Sequence, residues 1–191
     1  MTDYLKYAFE TNSHVDQFFY KHIIEKSMPI FKRLHFTPNM ITAGGCALKL
    51  SGLYALYYTN HYVVAGFLFL VGYIFDCIDG AYARQYKMTT KIGDYLDHGC
   101  DILTTLLLIY VMFVRFGVSF AVIVAVLSGI ASYHISCQEM TVQQEKKSNS
   151  IPLVCSSRIH ATKYRVIGCG NIMVVIALFI IFAGWSHENY F

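Results

Sequence analysis

Apolar residues in this chain gather into long runs separated by short polar intervals. A membrane-spanning helix needs about 20 mostly apolar residues. Five stretches qualify: residues 40–58, 62–83, 93–116, 118–140 and 166–185. Residues 141–165 are too polar to span, and residues 1–38 run from polar to amphipathic. Within that arm Phe18, Phe19, Ile23, Ile30, Phe31 and Leu34 recur with basic residues between them. The pattern predicts a helix lying in the membrane interface. Pro29 is expected to divide it, and Thr37-Pro38-Asn39 to open the first span, with proline where a helix tolerates it. The chain therefore reads as all-α. It is a polytopic membrane helix bundle of five to six transmembrane helices over residues 38–191, preceded by an interfacial amphipathic arm over residues 1–37.

Composition supports the membrane reading. Of 191 residues, 55% are hydrophobic and 14% charged, where a soluble domain carries about a quarter charged residues. Few prolines and many aromatics exclude a disordered chain. No repeat or low-complexity tract is visible. The first fifteen residues lack the apolar core of a secretory leader, so no signal peptide is expected. The six cysteines (Cys46, Cys77, Cys100, Cys137, Cys155, Cys169) form no CxxC pair and read as small buried hydrophobes in reduced surroundings.

Basic residues orient the bundle. Lys6, Lys21, Lys26, Lys32 and Arg33 lie in the arm, Arg84, Lys87 and Lys91 between the second and third spans, and Lys146, Lys147, Arg158, Lys163 and Arg165 between the fourth and fifth. Arg115 alone marks the other side. The positive-inside rule makes the first three regions cytosolic. The basic 141–165 segment reads as a face toward anionic lipid, with Arg158, His160, Lys163 and Arg165 also able to take an acceptor.

Against this background the stretch "DCIDGAYARQYKMTTKIGDYLDHGCD" (76–101) stands out. It places Asp76, Asp79, Asp94, Asp97 and Asp101 at the cytosolic ends of two apolar spans. Ionised carboxylates are costly to bury without compensation. Asp76 and Asp79 are i, i+3 on one helix; Asp97 and Asp101 are i, i+4 on the next. A short loop makes the two helices antiparallel neighbours whose acidic faces can meet. The simplest compensation is a hard divalent cation, Mg²⁺ or Mn²⁺, which keeps positions open for phosphate oxygens. Two such ions would neutralise four charges and clamp a diphosphate. Gly80 and Gly93 bracket the loop and let a bulky anion approach, Ala83 keeps the face small, and Arg84 offers a fork for phosphate. Lys49, in mid-span, is expected to point inward, toward the cavity or the acids. Asp94 shares the face of Asp97, His98 and Asp101 and is read either as support for them or as solvent-exposed.

The run Asp76-x2-Asp79-Gly80-x2-Ala83-Arg84-x8-Gly93-x3-Asp97-x3-Asp101 resembles, at every position, the signature of the CDP-alcohol phosphotransferases (CDP-alcohol phosphatidyltransferase class I). Pro38-Asn39-Met40-Ile41-Thr42 is similar to that family's first-helix start. The resemblance implies a membrane enzyme of phospholipid synthesis that cleaves a CDP-linked donor, transfers the phosphoryl-bearing half to an alcohol and releases CMP. It implies that Asp76, Asp79, Asp97 and Asp101 bind metal, that Asp101 is also the general base, and that Asn39, Thr42, Gly80, Ala83, Arg84 and Gly93 shape the CDP pocket. "YLDHGCD" (95–101) and residues 13–42 further resemble the choline/ethanolamine branch, which uses CDP-choline or CDP-ethanolamine and diacylglycerol; His98 is then a candidate auxiliary base or acceptor-orienting group. The alternative is a phosphatidyltransferase joining CDP-diacylglycerol to glycerol phosphate, serine or inositol. The expected partners are a CDP-linked donor and a bilayer lipid, with a homodimer allowed and nucleic acid not. The active site is expected to face the cytosol, in an endomembrane of a eukaryote or the inner membrane of a bacterium. A membrane prenyltransferase and a divalent-cation transporter also use intramembrane acids, but neither needs Gly80, Ala83 and Arg84 at this spacing.

Overall fold

The computed structural model describes residues 14–144 and 169–190. The arm is α1 (His14–Phe19), a π-helical turn (Tyr20–Ile24) and α2 (Glu25–Arg33). The bundle follows as α3 (Pro38–Tyr54), prolonged by a second π-helical turn (Ala55–Thr59), then α4 (Tyr62–Gln85), α5 (Lys91–Phe116), α6 (Val118–Gln144) and α7 (Cys169–Tyr190). No strand occurs among the described residues. Within the described residues every expected span is a helix. α4, α5 and the Cys169–Ser186 part of α7 are long and apolar enough to cross a membrane, and α6 supplies a shorter apolar stretch, Val118–Tyr133. The protein is an integral membrane protein.

Local chemistry sets the helix ends. Thr37, in extended backbone, accepts a hydrogen bond from the Met40 N–H, with Pro38 at the first helical position where its missing N–H costs nothing. Thr90 accepts from the Gly93 N–H at 3.0 Å and opens α5 in the same way. Gly117, at φ 94°, ends α5 in a conformation closed to most side chains and turns the chain directly into α6.

The arm differs from expectation at Pro29. α2 continues through it, and the irregularity lies upstream, in the π-helical turn where the Glu25 N–H reaches back to the Tyr20 carbonyl. Packing holds the helix on both sides of the proline. Ile24 and Met28 are buried with Ile41, Ile78, Ala81 and Tyr82 in one apolar cluster. Tyr82 donates to the Phe36 carbonyl at 2.9 Å, pinning the junction of arm and bundle. Phe18, Ile30 and Leu34 remain exposed on the far edge, so the arm carries one apolar face for the protein and another for the interface.

α3 packs against both α4 and α5, α4 against α7, α5 against α6, and α6 against α7. The acidic faces of α4 and α5 meet as expected, with oxygens of Asp76, Asp79 and Asp97 within 4.8 Å of one another. α3 lies against both helices. The larger apolar core, which includes Leu56, Phe69, Leu108, Met112, Val124 and Ile180, closes the opposite half of the bundle. Residues 1–13, 145–168 and 191, including Lys6, Lys146, Lys147, Cys155, Arg158, His160, Lys163 and Arg165, lie outside the described residues.

Candidate active site

Small residues bring α3 and α4 together where the acids begin. A Cβ on Gly45 would lie 3.0 Å from Phe75 Cβ and 3.1 Å from Asp76 Oδ1; one on Gly72 would lie 2.6 Å from Lys49 Cγ. Gly52 meets the Ala65 carbonyl in the same manner. This is close packing of the kind small residues allow between membrane helices. Its consequence is that the Lys49 stem crosses Gly72 and carries its ammonium into the acidic gap.

Lys49 points inward, as expected, and is only 2% exposed. Its ammonium forms an ion pair with Asp76 Oδ2 and donates to Asp101 Oδ1 at 2.7 Å. It thereby ties α4 to α5 through α3. A buried lysine needs such partners, because desolvation of the bare charge is prohibitive.

Beside this bridge, Asp76, Asp79 and Asp97 each offer a carboxylate oxygen, all within 4.8 Å of one another. Asp79 is buried, and its neighbours are half-buried. Asp79 Oδ2 and Asp97 Oδ1 are buried without a hydrogen-bond partner. An unpartnered buried carboxylate oxygen is costly, and three clustered carboxylates, two of which carry such an oxygen, have the chemistry of an oxygen site for a hard divalent ion. The residues therefore fit Mg²⁺ or Mn²⁺. Asp101, expected among the ligands, stands apart from this trio and rests on Lys49.

The remaining expected residues surround the acids. Buried Thr42 stands next to Asp79 and returns its hydroxyl to the Pro38 carbonyl at 3.1 Å. Asn39 lies against Gly93, where an added Cβ would come within 2.8 Å of its Oδ1. Gly93 therefore accommodates the Asn39 amide itself, so that the start of α3 can abut the start of α5. The Arg84 guanidinium folds back over Gly80, with its nearest nitrogen 3.1 Å from the position of a Cβ. Ala83 is half-buried beside it. His98 turns outward; its side chain is 56% exposed, and Nδ1 lies 3.9 Å from Asp94 Oδ1 and 3.8 Å from Asp97 Oδ2. Asp94 is the more exposed of these acids. Cys46, Cys77, Cys100 and Cys169 are free and half-buried rather than fully buried.

One charged residue escaped the sequence analysis. Asp16 of α1 accepts from the Tyr73 hydroxyl of α4 at 2.8 Å and from the Gly170 N–H, at the start of α7, at 2.9 Å. It joins the arm to two bundle helices on the acidic side. Nothing local marks it, because its partners are 57 and 154 residues away.

A family model described as CDP-alcohol phosphatidyltransferase matches residues 35–188. The chain is 31% identical over 121 residues to an uncharacterized protein of Aquifex aeolicus, covering 62% of this chain and 61% of the relative. It is 31% identical over 120 residues to the archaetidylinositol phosphate synthase of Pyrococcus horikoshii, covering 61% and 60%. It is 34% identical over 82 residues to the phosphatidylinositol phosphate synthase of Corynebacterium glutamicum, covering 43% and 37%. The matched part thus spans about three fifths of the first two relatives and less of the third.

Proposed function

The chain belongs to the CDP-alcohol phosphatidyltransferase family, and we propose that it transfers the phosphatidyl group of a CDP-linked lipid, CDP-diacylglycerol, to a soluble alcohol with release of CMP. The observation that carries the chemistry is the convergence of Asp76, Asp79 and Asp97 with two buried, unpartnered oxygens, beside an Asp101 held on Lys49. The direction of transfer is supported by the relatives. Both named ones are inositol phosphate lipid synthases, which favours the phosphatidyltransferase alternative over the choline/ethanolamine reading drawn from residues 13–42 and 95–101. An inositol phosphate is accordingly the first acceptor to test.

In this reading Asp76, Asp79 and Asp97 would hold a divalent metal, which would supply charge neutralisation of the diphosphate and polarisation of the phosphorus under attack. Asn39, Thr42, Gly80, Ala83, Arg84 and Gly93 form the CDP pocket, the Arg84 fork taking phosphate oxygens. Asp101 is the base. Lys49 occupies Oδ1 and orients the carboxylate, while the half-exposed side chain leaves its other oxygen for the acceptor. As the acceptor oxygen bonds to the lipid-bearing phosphorus, the phosphoanhydride bond to CMP breaks and the hydroxyl proton passes to Asp101. The acids lie on the cytosolic side, which lets the soluble acceptor enter from water and the lipid from the bilayer. His98, exposed beside Asp94 and Asp97, has its place at the rim rather than at the reacting phosphorus.

The test is CMP release by the purified full chain. One set of reactions supplies CDP-diacylglycerol with inositol phosphate, inositol, serine or glycerol phosphate. A second supplies CDP-choline or CDP-ethanolamine with diacylglycerol. Turnover in the first set is expected. Turnover confined to the second would reverse the direction of transfer, and CMP from neither would refute the activity.

A further inference from the structure

Four carboxylates converge at the site, but they are not equivalent. Asp76, Asp79 and Asp97 form one oxygen cluster, and two of these residues, Asp79 and Asp97, carry a buried oxygen without a hydrogen-bond partner. Asp101 faces a different cation, the Lys49 ammonium, which it shares with Asp76. That ammonium is not a mobile surface charge. It is almost wholly buried, and its stem is fixed over Gly72, where even a methyl group would collide with it. A second divalent ion between Asp76 and Asp101 would have to displace this lysine from both partners or sit against its positive charge in a poorly screened setting.

We propose that Lys49 is a resident cation filling one of two cation places among these carboxylates, so that the site takes one divalent ion, on Asp76, Asp79 and Asp97. The proposal rests on the reading of that trio as a metal site, and revises the sequence expectation of two ions. The lysine supplies the positive charge that a second ion would bring, in a form that cannot dissociate. The chain then needs one metal-binding event rather than two before its donor diphosphate can be held, and Asp101 is kept in place whether or not metal is bound.

The experiment counts Mn²⁺ on the purified full chain in nanodiscs. Equilibrium dialysis with elemental analysis gives stoichiometry, and electron paramagnetic resonance reports whether two ions lie close enough to couple, as they do in two-metal sites at about 3.5–4 Å. One uncoupled Mn²⁺ per chain is expected, with or without CDP. Lys49→Met opens the second place and is expected to bind two Mn²⁺ with a coupled spectrum. Should that variant fail to fold, Asp101→Asn provides an independent arm. It removes a lysine partner but no ligand of the single ion, so the count stays at one, whereas Asp79→Asn lowers it to zero. Two coupled ions on the unaltered chain would overturn the proposal while leaving the metal site standing. A Lys49→Met protein that folds and still takes only one ion would overturn it as well. No bound Mn²⁺ at all would overturn both the proposal and the metal reading beneath it.

Discussion

At the scale of single residues, identical chemistry acquires different roles from position. Asp76→Asn, Asp79→Asn and Asp97→Asn each remove a ligand charge from the oxygen cluster, and each is expected to lower turnover by about 100-fold or more and to weaken Mn²⁺ binding. Near-normal turnover in any of the three would remove that residue from the site. The two signature glycines should separate. Gly93→Ala places a methyl group 2.8 Å from Asn39 Oδ1, between two helix starts. It should displace Asn39 by enough to cost about 100-fold in kcat/KM. Gly80→Ala meets only the far end of the Arg84 side chain, at 3.1 Å, which can swing aside, so its loss should be clearly smaller. Steady-state kinetics of the two variants, with thermal stability as a control, checks the order; equal losses would mean that neither the Asn39 nor the Arg84 contact sets the pocket. The aspartates were legible in the sequence because carboxylates amid apolar runs are expensive and their spacing is helical. Their division into a trio and a lysine-held fourth was not. It depends on the closeness of α3 to α4, which Gly45 and Gly72 permit but do not announce.

Between elements, the arm is the part whose role the sequence showed least. Its amphipathic pattern was readable, and the exposed edge of Phe18, Ile30 and Leu34 agrees with it. The docking face of Ile24 and Met28 was not separable from that edge, because apolar residues on two sides of one helix give a single broad stripe. The spans themselves were recovered closely, since twenty apolar residues leave few other solutions. The short loop between α4 and α5 correctly implied that their acidic faces meet, but not that α3 packs against both helices. The Asp16 link makes a testable statement about the arm. Asp16→Ala leaves the Tyr73 hydroxyl and the Gly170 N–H without their carboxylate, and should destabilise the protein by about 1–3 kcal/mol. Tyr73→Phe removes one of the two bonds and should cost less. Because both changes act on one network, the double variant should be less destabilised than the sum of the singles. Thermal unfolding in detergent measures all three; strict additivity would show that Asp16 and Tyr73 act separately.

For the whole molecule, orientation in the membrane decides which substrates reach the acids. Lys21, Lys26, Lys32 and Arg33 of the arm lie on the same side as Arg84, Lys87 and Lys91, around the ends of the helices that carry the acidic site. The opposite end has Arg115, and its charge is engaged locally. It donates to the Tyr57 carbonyl at 3.0 Å and to Asn60 Oδ1, tying the α3–α4 turn to the end of α5. Basic residues thus gather at the acidic end, the imbalance that the positive-inside rule reads as cytosolic. The acidic site should therefore open to the cytosol, the source of both CTP-derived donors and phosphorylated soluble acceptors. In a chain whose native cysteines have been replaced, Lys87→Cys should react with a membrane-impermeant maleimide added from the cytosolic face of sealed vesicles, and His61→Cys only from the other face. Labelling of Lys87→Cys solely from the far side would invert the molecule. The acids would then face away from the cytosolic supply of phosphorylated soluble alcohol, and the proposed reaction would have no route to its acceptor, however well the site bound metal.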